Sequence, residues 1–553
     1  MNEDLKEPTE LLEDSDLVAL SERWMKESEE YHGQLAMTQQ VAEQYYLGNQ
    51  TELERVPDYA SKAVENHVFM GVETIVPIAT SNTPQFVVSP ANESEESALL
   101  SDAIEAILGR NYEARDVRGK LEQSFRHLPL FRFGVLKIIW NEELDDCDLK
   151  VVRPQRIWIP KYGNSVHELP YIIEKVDMTF DEIREFFGED KLKEVGASRG
   201  ESMTDRQDME RAVTVWEIWT NKFVFWRYQG TILKKLRNPY FDFEGYEGDD
   251  PGVTLFRNHF RSPKKPYIFL TAFKLGNTGP VGSTSLVEQA ISIQDVINIH
   301  KRAVVDSART MGNPAWFVDS EVMSEEEAKN QITNEPGLLL YGPGAANPSM
   351  VRRDTPPSIP NYIINSQMEA QAAFDNIFGT HSTTRGERRE PETLGGRLLL
   401  KQADIGRIDL LVREIERAVV EIGEWFIQLM KLYYEGERTF KIFGERGVQF
   451  ITLNRQMIED GIEITVKAGS TLPTDDISIR QDAITLAQAG LIDPLTLYER
   501  MKFPNPEETY QRLLKHLSGQ PVTGGQQPVQ PGPGPGMQEQ LTEARTNIAG
   551  GGV

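Results

Sequence analysis

An α+β protein with several sub-domains is what this sequence predicts, and three observations predict it. At 553 residues the chain exceeds the roughly 250–300 at which one hydrophobic core stops growing. A stretch from near Leu394 to about Tyr434 holds apolar residues in helical register over roughly 40 residues, about 60 Å of helix. The stretch from Leu130 to Tyr240 is β-rich instead, with apolar runs separated by polar turns.

In chain order, Asp16 to about Leu47 reads as a helix, because Leu17, Leu20 and Trp24 recur at three- and four-residue steps among charged residues. Further helices are expected over Ser61–Val76 and Glu95–His127, with one short strand in the loop 80–92. Residues 130–163 form two apolar runs around an acidic turn, the pattern of a hairpin followed by a third strand. Thr179 and Glu182 suit the N-cap and N3 positions of a short helix. Val213, Val215, Glu217 and Trp219 alternate as one packed face of a sheet.

The glycine-rich loop 276–284 leads to Ser285 and Glu288, spaced as a capping box that opens a helix reaching about Met311. Ile293, Val296, Ile297, His300 and Val304 form its apolar stripe. Short strands at Ala315–Val318 and Gly337–Tyr341 flank an acidic turn of helix, and prolines at 356, 357 and 360 close that segment. A second helix spans Asn361 to Phe378, with Tyr362, Ile363, Ala370, Phe374 and Ile377 as packing residues. The long helix follows, its stripe running through Ile408, Leu411, Val412, Ile415, Val419, Ile422, Phe426, Leu429 and Tyr433. Strands are expected around Phe440–Phe443 and Ile462–Val466, then two or three short helices. From Gly519 the chain is Gly, Pro and Gln, a composition that offers no core and predicts disorder.

Composition excludes several classes. No apolar run approaches the roughly 18 residues of a membrane span. The acidic start lacks the basic and apolar regions of a secretory signal, so the chain is expected in the cytoplasm, and the single cysteine, Cys147, agrees. A net charge of −26 argues against wrapping nucleic acid on a broad basic surface. It does not exclude DNA as cargo, because an acidic wall lets a duplex slide where a basic one grips.

Chemistry is hard to place. The loop 276–285 lacks the lysine that a phosphate-cradling loop needs, since Gly282 precedes Ser283, so no nucleotide and no other cofactor is expected. The eight histidines are scattered without metal-ligand spacing. The acidic pairs Asp145/Asp146 and Asp475/Asp476 read as solvated turn residues rather than a catalytic pair. Nothing nominates an enzyme.

The order of parts from Gly276 to Tyr434 resembles the core of portal proteins of tailed bacteriophages, most clearly over Val281–Asp319. Residues 133–160 and 214–236 are similar to portal wing sheets, and the likeness extends over roughly 40–510. It implies an N-terminal segment and α/β wing over 1–275, a two-helix stem at 276–311 and 359–379, and a small α/β clip at 312–358. A tunnel loop at 380–394, a long wing helix with strands at 395–470, a helical crown at 471–518 and a disordered tail at 519–553 complete the scheme.

The resemblance further implies twelve copies in a ring at one capsid vertex, passing double-stranded DNA during packaging and ejection. The large terminase docks on the clip and head-tail adaptor proteins replace it; scaffold and major capsid protein are the other partners. Such a protein assembles in the host cytoplasm and ends in the virion. In this scheme Arg385, Arg388 and Arg389 of the tunnel loop are candidate DNA contacts, and Glu325, Glu326 and Glu327 of the clip are candidate docking residues. A different neck or tail-adaptor protein, or an enzyme of nucleic-acid metabolism, remains the alternative.

Overall fold

A computed structural model describes residues 12–58, 60–80, 86–199, 212–243, 258–276, 279–312, 316–318, 324, 326–327, 330, 351–353, 360–380, 394–444, 447–455, 457–458, 462–466, 483–501 and 506–517. The chain divides into two compact units, 1–473 and 474–553. Helices and antiparallel sheets share the first, as an α+β reading requires.

Helix α1, Asp14–Leu47, places Asp14 and Asp16 at its positive end and stops at Gly48, whose φ of 82° gives a left-handed cap. Its buried ridge runs through Leu17, Ser21, Met25, Ser28, His32, Leu35 and Gln39. Leu20 and Trp24 are half-buried, so the stripe lies to one side of the predicted one. Small residues occur where the sheet comes close: Ser21 Oγ accepts a hydrogen bond from Arg227 at 2.5 Å.

After the single turn α2, Gln50–Leu53, comes α3, His67–Thr80. It starts six residues later than predicted, because backbone groups of residues 61–66 are taken by side chains from elsewhere: Ser61 N–H donates to both Asp306 carboxylate oxygens at 3.0 Å. Strand β1, Phe86–Ser89, is the expected short strand. The single helix predicted over Glu95–His127 is two, α4 Glu95–Ala114 and α5 Val117–Phe131. Asp116 breaks it with φ 47°, and its side chain accepts from Gly119 N–H at 3.2 Å.

Strands β2, Phe133–Asn141, and β3, Asp146–Val152, form the predicted hairpin. Their third partner is not the next strand, β4 at Ile157–Trp158, but a distant one described below. β4 instead edges a five-stranded antiparallel sheet with β5, Ile172–Thr179, β6, Ala212–Trp219, β7, Phe223–Tyr228, and β8, Thr231–Arg237. Between β5 and β6 lie α6, Phe180–Phe187, and α7, Glu189–Arg199. α6 opens with the predicted box of Thr179 and Glu182, both of its hydrogen bonds formed. Val213, Val215, Glu217 and Trp219 are all buried, as the alternation required.

Strand β9, Tyr267–Thr271, which the sequence pattern did not reveal, completes the three-stranded sheet beside β2. A buried lysine joins the two sheets: Lys137 of β2 donates to Glu174 at 2.8 Å and Glu217 at 2.7 Å. Tyr267 and Trp219 donate to the same carboxylates at 2.7 and 2.6 Å. Burial pushes the Lys137 ammonium down, but the two carboxylates outweigh it and hold its pKa up.

The remaining elements of the first unit are α8, Leu286–Gly312; β10, Trp316–Val318, paired with β11, Val351–Arg353; and α9, Asn361–Phe378. Then come α10, Leu394–Tyr433, the hairpin β12 Arg438–Gly444 with β13 Gly447–Leu453, and β14, Glu463–Val466, which pairs with β1. β11 and β13 were not predicted, and the strand expected at 337–341 lies outside the described residues. The main core gathers α3, α4, α5, the three-stranded sheet and α10, whose Ile422, Trp425, Phe426, Leu429 and Met430 are fully buried. The second unit contains α11, Pro494–Arg500, and α12, Pro506–Leu517, matching the expected short helices. The tail from Gly519 lies outside the described residues.

Candidate functional site

Helices α8 and α9 pack on each other, and their inner faces meet α1, α3 and the run between α2 and α3. Ser285 starts α8: its Oγ accepts from Glu288 N–H at 3.1 Å. The reciprocal half of the predicted box is replaced by an ion pair, because the Glu288 carboxylate takes two hydrogen bonds from Arg132, at 2.6 and 2.8 Å. The preceding loop needs glycine for a close approach: a Cβ on Gly282 would fall 2.5 Å from the Ala272 carbonyl oxygen and 2.7 Å from that of Arg132.

The predicted apolar stripe of α8 is corrected by the structure. Ile297 is fully buried, but Val296 is exposed and Ile293, His300 and Val304 are only half-buried. A polar ridge spaced four residues apart turns inward instead: Gln294, Asn298 and Arg302 are buried, and half-buried Asp306 extends the row. Gln294 Nε2 donates to the Glu65 carbonyl at 2.7 Å and its Oε1 accepts from His67 N–H at 3.0 Å. Asn298 Nδ2 donates to Gln50 at 2.5 Å and Glu54 at 3.0 Å. Arg302 pairs with Glu54 and donates to the Ala63 carbonyl at 3.2 Å. Tyr45 adds a hydrogen bond to Asp295 at 2.5 Å; burial first, then Glu54, pushes the Asp295 carboxyl up.

In α9 the inward residues are apolar at the C-terminal end. Phe374 and Phe378 stack with centroids 4.7 Å apart, and Phe374 meets the His67 ring at 5.6 Å. Gly71 of α3 makes room for them, since a Cβ there would lie 2.7 Å from Phe378. Ala370 is buried as predicted, whereas Tyr362 is exposed and Ile363 and Ile377 are half-buried.

Of the predicted site residues, Arg385, Arg388, Arg389 and Glu325 lie outside the described residues. Glu326 and Glu327 are helical and exposed. Glu327 closes a local cap, accepting from Ser324 N–H at 3.1 Å and Oγ at 2.8 Å, which holds its carboxyl below the usual range. Asp475 and Asp476 also lie outside the described residues. Asp146 is not the solvated turn residue expected: it is buried at the start of β3, paired with Arg115 at 2.8 Å and accepting from Tyr434 at 2.8 Å. Its neighbour Asp145 does stay in the turn and pairs with Arg438 at 2.6 Å. Glu54 and Glu65, which organise the helix pair, escaped the sequence reading, although the four-residue repeat of polar residues from Gln294 to Asp306 was visible there.

A cavity of about 760 Å³ opens between α10, β9 and residues 164–167. Its carboxylates are committed within the fold: Glu414 accepts from Thr271 N–H at 3.2 Å, and Glu421 from Arg417 at 3.0 Å and His167 at 3.2 Å. Among the described residues no group of three or more His, Cys, Asp or Glu could hold a metal ion, and no helix is long and apolar enough to cross a membrane.

An α+β fold with a packed helix pair, entered through a glycine loop and followed by a 40-residue helix, is the class that fold and site define. Residues 276–549 match the family model described as phage P22-like portal protein. The portal resemblance seen in the sequence is thereby borne out, and the chain belongs among the phage portal proteins. The match begins at the loop before α8; residues 1–275 lie outside it. No curated protein matches the chain significantly.

Proposed function

We propose that twelve copies of this chain close into a ring that serves as the channel for double-stranded DNA at one capsid vertex, during packaging and again during ejection. The observation that carries this reading is the outward apolar surface of the helix pair. Val296 and Ile299 of α8 are 39% and 57% exposed, and Ile364 and Met368 of α9 are 42% and 63% exposed. Val296 and Ile299 are one turn apart, as are Ile364 and Met368, so each pair shares a helix face. Copies arranged about an axis cover such faces.

In this reading α8 and α9 are the stem, 312–358 the clip that docks the large terminase and later the head-tail adaptors, and 380–394 the tunnel loop. Scaffold and major capsid protein meet the ring in the host cytoplasm, and the mature site is the portal vertex of the virion. Arg385, Arg388 and Arg389 give the loop cations for DNA phosphates within a chain of net charge −26, and Glu325, Glu326 and Glu327 give the clip an acidic docking face. The ring catalyses nothing; it guides DNA that a motor moves. Native mass spectrometry with negative-stain microscopy tests the assembly. Rings of about twelve subunits with a central hole are expected, and a monomer alone at high concentration and moderate salt overturns the reading.

A further inference from the structure

Residues 61–66 form neither helix nor strand, yet the run they begin crosses both α8 and α9. On α8 it meets the polar ridge, through Asp306 at Ser61, Arg302 at Ala63, and Asn298 and Gln294 at Glu65 and His67. The Glu65 carboxylate reaches both helices. It pairs with Lys301 of α8 at 3.0 Å, and it accepts from Gln371 at 2.8 Å and Gln367 at 3.4 Å on α9. His67, in the same run, closes on it at 2.9 Å.

We propose that residues 61–67 are a strap that fixes the helix pair against the body of the subunit, with Glu65 as its positioning residue. Apolar interlocking holds a helix through many small contacts, so one deletion leaves the rest in place. A polar strap concentrates the hold in a few directional, charge-assisted hydrogen bonds, and losing a shared acceptor releases several at once. Past Asn298 on α8, and before Ala370 on α9, the helices carry mostly half-buried or exposed residues. Apart from the Arg302–Glu54 ion pair, little else there resists opening, and segments of that kind open locally while the core stays closed. When the strap lets go, the outer half of the pair moves as a unit relative to the body; when it closes, the two are locked.

This inference stands on contacts within one chain and does not depend on the ring reading. Hydrogen–deuterium exchange of the full chain tests it, with Glu65→Ala and Lys301→Met compared with the unmodified protein in the same assembly state. Glu65→Ala is expected to speed exchange of amides 299–309 and 361–369 roughly tenfold while leaving 419–430 unchanged. Lys301→Met, which removes one bond of the set and decides the matter if the alanine variant does not fold, is expected to raise the same segments less. A rise spread evenly over the molecule, or no rise in either variant, overturns the strap.

Discussion

α10 and α8 are both long helices with plausible apolar stripes in the sequence, and they are held in opposite ways. The predicted stripe of α10 is the buried one: Ile408, Leu411, Val412, Ile415, Val419, Ile422, Phe426 and Leu429 all face the core, with Tyr433 at its edge. In α8 the polar row Gln294, Asn298, Arg302 turns inward while Val296 and Ile299 turn out. Apolar periodicity reports which face seeks to leave water, but not whether the chain's own core or another surface receives it.

The largest effect expected from breaking this contrast is in α10. Trp425 is fully buried, with Tyr240 and Phe260 edge-on to its ring at 6.3 and 4.8 Å. Trp425→Ala removes that packing and leaves a cavity, and should cost about 4 kcal/mol, read as a lower urea midpoint. On α8 the corresponding cut is electrostatic. Glu54→Ala strands the buried Arg302 guanidinium and should cost about 3 kcal/mol. Glu54→Ala with Arg302→Met should cost less than Glu54→Ala alone, because no unpaired charge remains. If the two long helices were held alike, the double variant would be the worse of the two.

The elements most legible in the sequence were those whose signal is local. α9 runs over Asn361–Phe378 as its flanking Pro360 and Gly379 indicate, and the cap at Thr179 is formed by residues three positions apart. What escaped was either a local backbone conformation without a sequence signal or depended on partners far along the chain. The break at Asp116 requires a left-handed residue that no glycine announces. β9 is recognisable only beside β2, and the burial of Lys137 only beside Glu174 and Glu217. The strap is the same case: Glu65 acts on Lys301 and Gln371, more than 200 residues away, and a lone Glu in a polar run carries no sign of that.

A polar contact under α1 sharpens the comparison through pH. His32 is buried with its ring stacked on Trp158, centroids 3.9 Å apart. Burial, then the nearby Lys175 charge, pushes its pKa from the usual 6.5 to about 4, against a backbone hydrogen bond at Ile157 that raises it. The folded chain therefore keeps His32 neutral where the unfolded chain protonates it. That stabilisation is complete above about pH 6.5 and is lost as pH falls towards 4, by about 2 kcal/mol. Urea midpoints at pH 7 and 4.5 should fall less in His32→Phe than in the unmodified protein; equal falls would remove His32 from the account.

The smallest effect on folding belongs to the outward face of α8 and α9, and there it is the size of a second effect that matters. Ile299→Ser and Met368→Ser change side chains that are more than half exposed in the single chain, so each should shift its stability by no more than about 0.5 kcal/mol. In a ring the same side chains are covered by the next copy, and each exchange places a hydroxyl where apolar area is buried, at every interface of the closed circle. The double variant should thus keep the urea midpoint of the single chain while light scattering shows the assembly shifted towards monomer. A core position such as Trp425 predicts the reverse order, with folding lost before association can be measured. Should the double variant assemble as fully as the unmodified protein, the exposed apolar residues are ordinary surface, and the reading of α8 and α9 as the ring's packing helices loses the observation that carries it.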